Sequence, residues 1–292
     1  MSNSRTTVGI SSPKQQAVLS ALALSNDRKL TTEKIATALW GTEQPRTAAE
    51  TVRTHVYLLR KTLRAAGIDI VGNSGRSYQL DAEKASVDLD EFRRIVSLAE
   101  AAKLDGRTAE AADRYAEGIR LWHGEPLRDV PGPLAEAKRT FLGELLRTTR
   151  SERLRCRMRL GEHLAAATEL WELTAENPLD EGLRELLMVC LFRANRQADS
   201  LAVFRETGRL LKEELGVGPS PQLSRTHQRI LDRDPALLWS PEAAPGPAPR
   251  SGAPHRSPLH HPPHREERPP SWSTATWAPA ASWSARSRTA TG

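Results

Sequence analysis

Residues Thr47–Ala66, TAAETVRTHVYLLRKTLRAA, form the stretch that decides the fold. Thr47, with Glu50 three positions later, fits a capping box that starts a helix, and Gly67 is a stop signal. The apolar residues between them are spaced by four, three and four positions, which places them on one face of an amphipathic helix: Val52, Val56, Leu59 and Leu63. The pattern therefore predicts one long helix with a single buried face.

A second stripe on this helix is polar and mostly basic. Its members follow the apolar positions or extend the same face: Arg53, Thr54, Tyr57, Arg60, Lys61 and Arg64. A helix that buries one face and offers such side chains beside it suits the DNA major groove, where one arginine can bond both acceptors of a guanine. A surface helix whose charges are only solvated would show the same stripe, so the flanking elements decide between the two interpretations.

Two shorter helices are expected before this helix, and a hairpin is expected after it. Ser12 before Pro13 starts the first helix, and Thr32 can cap the second. Two runs, residues 68–71 and 77–80, are expected as strands joined by a turn at GNSG, residues 72–75. Three helices and a hairpin, with the basic helix third, is the order of a winged helix.

The winged-helix order assigns roles to the polar residues. Arg53, Thr54 and Tyr57 are the candidates for contact with base edges. Thr47, at the start of the helix, is a further candidate for contact with DNA. The candidates for phosphates or the minor groove are three residues of the helix and one of the wing: Arg60, Lys61, Arg64 and Arg76.

Residues 88–239 show helical periodicity with a weak internal repeat. Gly106, Gly161 and Asn195 each precede a small residue by five positions and a bulky apolar residue by nine. The pairs are Ala111 with Tyr115, Ala166 with Leu170, and Ser200 with Phe204. Gly161 and Asn195 are 34 residues apart, which is the tetratricopeptide period, and a longer helix is expected over residues 133–160. The small residue lets paired helices approach, and the bulky residue fills the groove beside it.

Several of these segments resemble a known family. The runs SPKQQAVLSALAL, LTTEKIATALWG, TAAETVRTHVYLLRKTL and GRSYQL are similar to the OmpR-like winged helix of the Streptomyces antibiotic regulatory proteins, small type. The run ELGVGPSPQLSRTHQRILDRDPAL resembles the end of the bacterial transcriptional activation domain that follows it in that family. The resemblance covers about residues 12–234. Leu58 departs from it, because OmpR-like domains often carry a basic residue there.

The resemblance implies a function and partners. It implies a transcriptional activator that binds direct repeats in double-stranded DNA near a promoter, associates with itself there, and recruits RNA polymerase to secondary-metabolite genes. Family members usually carry a small antiparallel sheet before the first helix, and here only residues 7–10 could supply a strand. The alternative is a helical-repeat interaction regulator whose DNA reader is degenerate.

The distribution of charge along the chain agrees with a division into a DNA-binding part and a helical part. The net charge is +6 overall, and residues 1–85 hold 12 Lys/Arg and 7 Asp/Glu, a net +5. Residues 86–239 are near neutral, at −2, and residues 240–292 carry +3 with 11 of the 20 prolines. The expected organisation is a short N-terminal segment (1–11), a winged helix (12–80), a linker (81–87), a helical activation domain (88–239) and a disordered Pro/Arg/Trp-rich tail (240–292).

The sequence lacks the motifs of several function classes. It has no phosphate-binding GxxxxGK[ST] loop, no GxSxG elbow and no Cys/His cluster with zinc spacing, so no enzyme, cofactor or metal site is expected. Without a signal peptide or a long apolar run, the expected location is the cytoplasm, in association with the nucleoid. Cys156 and Cys190 are then thiols, with a disulfide as the alternative. Six arginines in residues 147–159 are either a solvated, ion-paired face or a contact to DNA or polymerase.

Overall fold

The computed structural model describes residues 6–238, 276–278 and 282–285, and most of them are helical. This confirms the mostly α-helical fold class, with a winged helix followed by a helical-repeat domain. In chain order the elements are β1 (Thr6–Gly9), α1 (Pro13–Ala23), β2 (Lys29–Thr31), α2 (Thr32–Trp40), α3 (Ala48–Ala65), β3 (Val71–Ser74), β4 (Ser77–Leu80), α4 (Asp88–Leu104), α5 (Thr108–Ile119), α6 (Pro133–Arg159), α7 (His163–Glu176), α8 (Glu181–Arg193), α9 (Gln197–Leu215), α10 (Pro221–Leu231), a 3-10 turn (Pro235–Leu237), β5 (Thr276–Ala278) and β6 (Ser282–Ala285).

The wing belongs to a three-stranded antiparallel sheet with the order β2-β4-β3. Lys29 of β2 lies opposite Gln79 of β4, and Val71 of β3 lies opposite Leu80. β2 was not expected, because three residues are too few to show an alternating pattern. The wing turn is shorter than predicted: the strands continue until Ser74 faces Ser77, so the turn itself is residues 75–76 rather than 72–75.

The helix caps differ from the predictions for α1, α2 and α3. Ser12 precedes α1 as predicted, but its side chain makes no capping hydrogen bond. Thr47 precedes α3, but its side chain makes no capping hydrogen bond, so the predicted capping box with Glu50 is wrong. The reason is local geometry: Thr47 has φ −96° and ψ 18°, whereas a capping residue is usually extended. The cap of α2 is Thr31 rather than Thr32. Thr31 is extended, and its hydroxyl accepts a hydrogen bond of 3.3 Å from the amide of Lys34.

The predicted N-terminal strand exists and has a partner in the C-terminal tail. β1 pairs antiparallel with β6, and β6 pairs with β5, with Val8 opposite Trp283. These two tail strands differ from the expectation that residues 240–292 have no regular structure. The rest of that expectation concerns residues outside the described part of the chain.

The chain forms two compact units. The first contains described residues 6–94, 118–147 and the two tail strands, and the second contains residues 95–117 and 148–238. In the first unit, one hydrophobic core joins the winged helix to four buried residues from beyond the expected linker: Leu127, Val130, Ala135 and Leu142. Arg28 adds polar contacts, because it donates a 2.8 Å hydrogen bond to the carbonyl of Ala85 and pairs with Asp90. The winged helix therefore shares its core with part of the helical region.

The second unit contains the predicted repeat. Gly106, Gly161 and Asn195 all have positive φ, of 75°, 84° and 60°, and each lies at the turn between two helices. After each of them, the next amide donates a hydrogen bond to the carbonyl five residues earlier, which ends the preceding helix in the same way three times. The small residues of the three copies are fully buried: Ala111, Ala166 and Ser200. The three copies therefore share a backbone conformation at the turn as well as similar residue types.

Most arginines of α6 in the second unit lie in ion pairs. Arg153 lies 2.8 Å from Glu169, and Arg157 contacts Glu169 and lies 2.6 Å from Glu162. Arg150 is 3.6 Å from Glu176. Arg147 and Arg155 make the pairs within α6 that the solvated-face interpretation predicts, with Glu144 and Glu152. Arg153 and Arg157 differ from it, because their side chains are only 26% and 17% exposed and pair with glutamates outside α6.

Three further features concern the described residues alone. None of their helices has the length and apolar character needed to cross a membrane. They contain no group of three or more His, Cys, Asp or Glu side chains arranged to hold a metal ion. Cys156 and Cys190 are both free and buried, and burial raises the pKa of Cys156 and raises that of Cys190 to about 12.

Candidate nucleic-acid interface

The apolar stripe of α3 is the buried side of the helix. Val52, Val56, Leu59 and Leu63 are each at most 1% exposed, as their spacing predicted. They pack in the core of the first unit with residues of α1 and α2. Because this face is fixed by packing, the rotation of α3 about its axis is fixed, and so is the set of side chains that face outward.

The outward face of α3 carries four of the predicted contact residues. Arg53, Thr54, Tyr57 and Lys61 are all exposed, and Tyr57 is 65% exposed. The Thr54 hydroxyl donates a 3.0 Å hydrogen bond to the carbonyl of Glu50, so it faces an outside group mainly as an acceptor. Among the described residues, neither Arg53 nor Lys61 lies in an ion pair. Two unneutralised cations and a large aromatic ring therefore face solvent on one side of the helix.

Leu58 lies between these polar residues and is 37% exposed. It occupies the position where the family often has a basic residue, so this part of the face is apolar. An exposed aliphatic side chain can contact the methyl group of a thymine, but it cannot bond a phosphate.

Arg60 and Arg64 differ from the other basic residues, because their guanidinium groups are occupied. Arg60 is half-buried and donates hydrogen bonds of 2.8 Å to the carbonyl of Val71 and to Oδ1 of Asn73. Arg64 is exposed and lies 3.1 Å from Oδ1 of Asp69. The even spacing of the basic stripe did not reveal this difference, because all three acceptors lie beyond the end of the helix.

The wing places Arg76 at its turn. Arg76 is exposed, and Gly75 before it has φ +61°, a conformation that glycine adopts without strain. Because the turn is residues 75–76 rather than the predicted 72–75, Arg76 lies at the tip of the hairpin instead of just after the turn. Its predicted contact with DNA stays a prediction, as it does for the residues of α3 and for Thr47, which is exposed directly before the helix.

Two charged groups outside α3 influence this surface. The pKa of Glu33, in the first turn of α2, is lowered by hydrogen bonds from its own backbone amide and from Thr31, and further by the charges of Arg53 and Arg76. Glu33 therefore lies within electrostatic reach of both the reading helix and the wing. On α1, Lys14 assists burial in lowering the pKa of His55. Spacing within α3 gave no signal of either group, because both come from other helices.

Two family profiles match the chain. Residues 8–80 match "Transcriptional regulatory protein, C terminal", and residues 87–231 match "Bacterial transcriptional activator domain". The transcriptional regulator RedD of Streptomyces coelicolor is 33% identical over 252 residues, which cover 81% of this chain and 71% of RedD. The chain belongs to the Streptomyces antibiotic regulatory proteins. Members of this family are transcriptional regulators, and both family domains are present here in the family order.

Other relatives differ in length. The regulatory protein AfsR of S. coelicolor is 42% identical over 231 residues, which cover 79% of this chain but only 23% of AfsR. The solved structure "Mycobacterium tuberculosis EmbR in complex with low affinity phosphopeptide" is similar with a TM-score of 0.70 and 29% identity, and the match covers 77% of this chain and 60% of that one. This Streptomyces antibiotic regulatory protein thus shares the two-domain part of larger relatives.

Proposed function

We propose that this chain is a sequence-specific DNA-binding activator that binds direct repeats near a promoter and recruits RNA polymerase to a secondary-metabolite gene cluster. The observation that supports the proposal most is the outward face of α3, where Arg53, Thr54, Tyr57 and Lys61 are exposed while the opposite face is buried. The 18 residues of α3 extend over about 27 Å, enough to lie along a major groove.

The positions of these residues suggest a division of roles. Arg53 and Tyr57, one turn apart on the exposed face, suit base edges in the major groove. Lys61, one further turn along, and Arg76 at the wing tip suit the phosphates or the minor groove beside it. Phosphate contacts position the protein and make binding dependent on salt, whereas base contacts select the site.

The test is a comparison of two charge-removing variants. An operator is first selected from random duplexes with the full chain. Arg53→Ala should then lose base preference at one position, at a cost of about 1–3 kcal/mol if it pairs with guanine. The control is Lys84→Ala, which removes the same charge from the linker, where Lys84 pairs with Asp81 at 2.9 Å. Equal preference of both variants and the parent chain for operator over scrambled DNA would refute the base-reading role.

The helical domain is proposed to join protomers on adjacent repeats. Leu164 and Trp171 lie two turns apart on α7 and are 61% and 40% exposed, so α7 offers two large apolar side chains to a protein partner. Leu164→Asp should remove cooperative binding to two repeats and leave binding to one repeat unchanged. The control is Leu104→Asp, at an exposed leucine on α4. Half a helical turn of added spacer should have the same effect as Leu164→Asp, because it moves the second reader to the other side of the duplex.

The alternative, an interaction regulator with a degenerate reader, makes the opposite prediction. Selection with the full chain would then recover no operator, and Arg53→Ala would leave DNA affinity unchanged at every salt concentration. RNA polymerase recruitment is tested separately, by transcription in vitro from a template that carries the selected operator. Leu164→Asp and Arg53→Ala should both reduce this transcription.

A further inference from the structure

We infer that Arg60 is a positioning residue, which holds the wing against the reading helix so that Arg76 meets DNA, and that Arg60 does not itself bind a phosphate. The inference rests on the proposed DNA-binding function. It departs from the role that the basic stripe suggested, in which Arg60 is one more phosphate contact.

The contacts of Arg60 reach both strands of the wing. Its Nε donates 2.8 Å to the carbonyl of Val71 at the start of β3, and its Nη2 donates 2.8 Å to the side chain of Asn73 in the same strand. Its guanidinium also lies 5.5 Å from the centre of the Tyr78 ring in β4. Asn73 and Tyr78 are directly opposite each other in the hairpin, so these contacts come from one compact site.

The wing needs such a contact because of where β3 lies in its sheet. β4 is paired on both sides, with β2 and with β3, whereas β3 is paired in the described chain only with β4. A four-residue edge strand has little stability of its own. Arginine suits the role, because its planar fork can satisfy the backbone and the amide oxygen together while its flat face lies on an aromatic ring. Lysine keeps the charge but has no such fork.

The first test needs no DNA. Trypsin cleaves after Arg76 at the exposed wing tip, and a loosened wing should be cleaved faster. Arg60→Lys preserves the number of trypsin sites and the net charge, and it should speed this cleavage about tenfold, the effect of losing one hydrogen bond to a charged group. Asn73→Ala removes an acceptor from the wing side and should act in the same direction. Lys61→Arg, on the same helix but outside this set of contacts, also preserves the trypsin sites and the net charge; it is the control and should leave the cleavage rate unchanged.

The second test measures affinity for the selected operator in a double-mutant cycle. Arg60→Lys should weaken binding about tenfold in the parent chain and should cause no further loss in an Arg76→Ala background, because the wing contact is already absent there. Lys61→Ala should lower the slope of log affinity against log salt by about 1, as the loss of one phosphate contact does. Arg60→Lys should lower this salt slope by no more than Arg76→Ala does, because Arg60 itself contacts no phosphate.

Three results would separate the possibilities. An unchanged cleavage rate in both Arg60→Lys and Asn73→Ala would overturn the positioning role. Losses from Arg60→Lys and Arg76→Ala that add fully would also overturn it, because Arg60 would then act on DNA directly. Faster cleavage combined with unchanged operator binding in Arg53→Ala and Arg76→Ala would instead overturn the proposed function, and Arg60 would remain only a structural contact.

Discussion

Gly132 lies where the helical region meets the winged helix inside the first compact unit, and replacing it with alanine should destabilise that unit. A Cβ atom at this position would lie 2.9 Å from the carbonyl oxygen of Leu39 and 3.0 Å from that of Ala38. Both obstacles are backbone atoms of α2, so neither can move without moving the helix. Gly132 also has φ +106°, a conformation that side chains disfavour. Strain of about 1–2 kcal/mol and overpacking of about 1–3 kcal/mol together predict a loss of about 2–5 kcal/mol.

The matched control for this substitution is Gly67→Ala. Gly67 has φ +74°, but a Cβ atom there would meet nothing within 4 Å, so only the conformational cost of about 1–2 kcal/mol applies. Hydrogen exchange of the full chain is the suitable assay, because it reports on each unit separately. Gly132→Ala should raise exchange in α2 and in residues 118–147 more than Gly67→Ala does, with little change in α7 to α9. Equal effects of the two variants would refute the close approach at Gly132.

Three further predictions concern stability and affinity. Stability should fall as the pH drops from 7 to about 5.5, because burial lowers the pKa of His55, His163 and His227 in the folded chain. The unfolded chain therefore binds protons first, near pH 6.5. The free energy of unfolding is measured by urea titration across this pH range. A pH-independent midpoint would contradict this. Glu33→Gln should raise operator affinity about two- to fivefold at low salt, since it removes a negative charge within reach of Arg53 and Arg76, and the gain should shrink at high salt in a titration of labelled duplex. Unchanged affinity would show that Glu33 lies too far from the phosphates. A fragment of residues 1–85 should bind a hydrophobic dye and unfold without a sharp transition, because it lacks four core residues from beyond residue 120; a cooperative melt equal to that of the full chain would refute the shared core.

The local patterns of the sequence were sufficient for α3 and for the repeats. Four apolar residues at helical spacing determined the buried face of α3, because neighbouring turns of one helix carry that information within 12 residues. Gly161 and Asn195, 34 residues apart, marked two turns of the helical array, because α6 and α8 each end in a conformation with positive φ that these residue types tolerate. Such features depend on the chain near each residue, so the sequence shows them directly.

The tertiary structure alone decided which charges remain available on the proposed interface. Arg53 and Arg60 belong to the same basic stripe, yet Arg53 is exposed while Arg60 is bonded to the wing, because Val71 and Asn73 come within reach only when the hairpin folds back. The core shared with Leu127 has the same origin. Spacing along the chain cannot report such contacts, because they join segments that have no periodic relation and meet only through the packing of the whole unit.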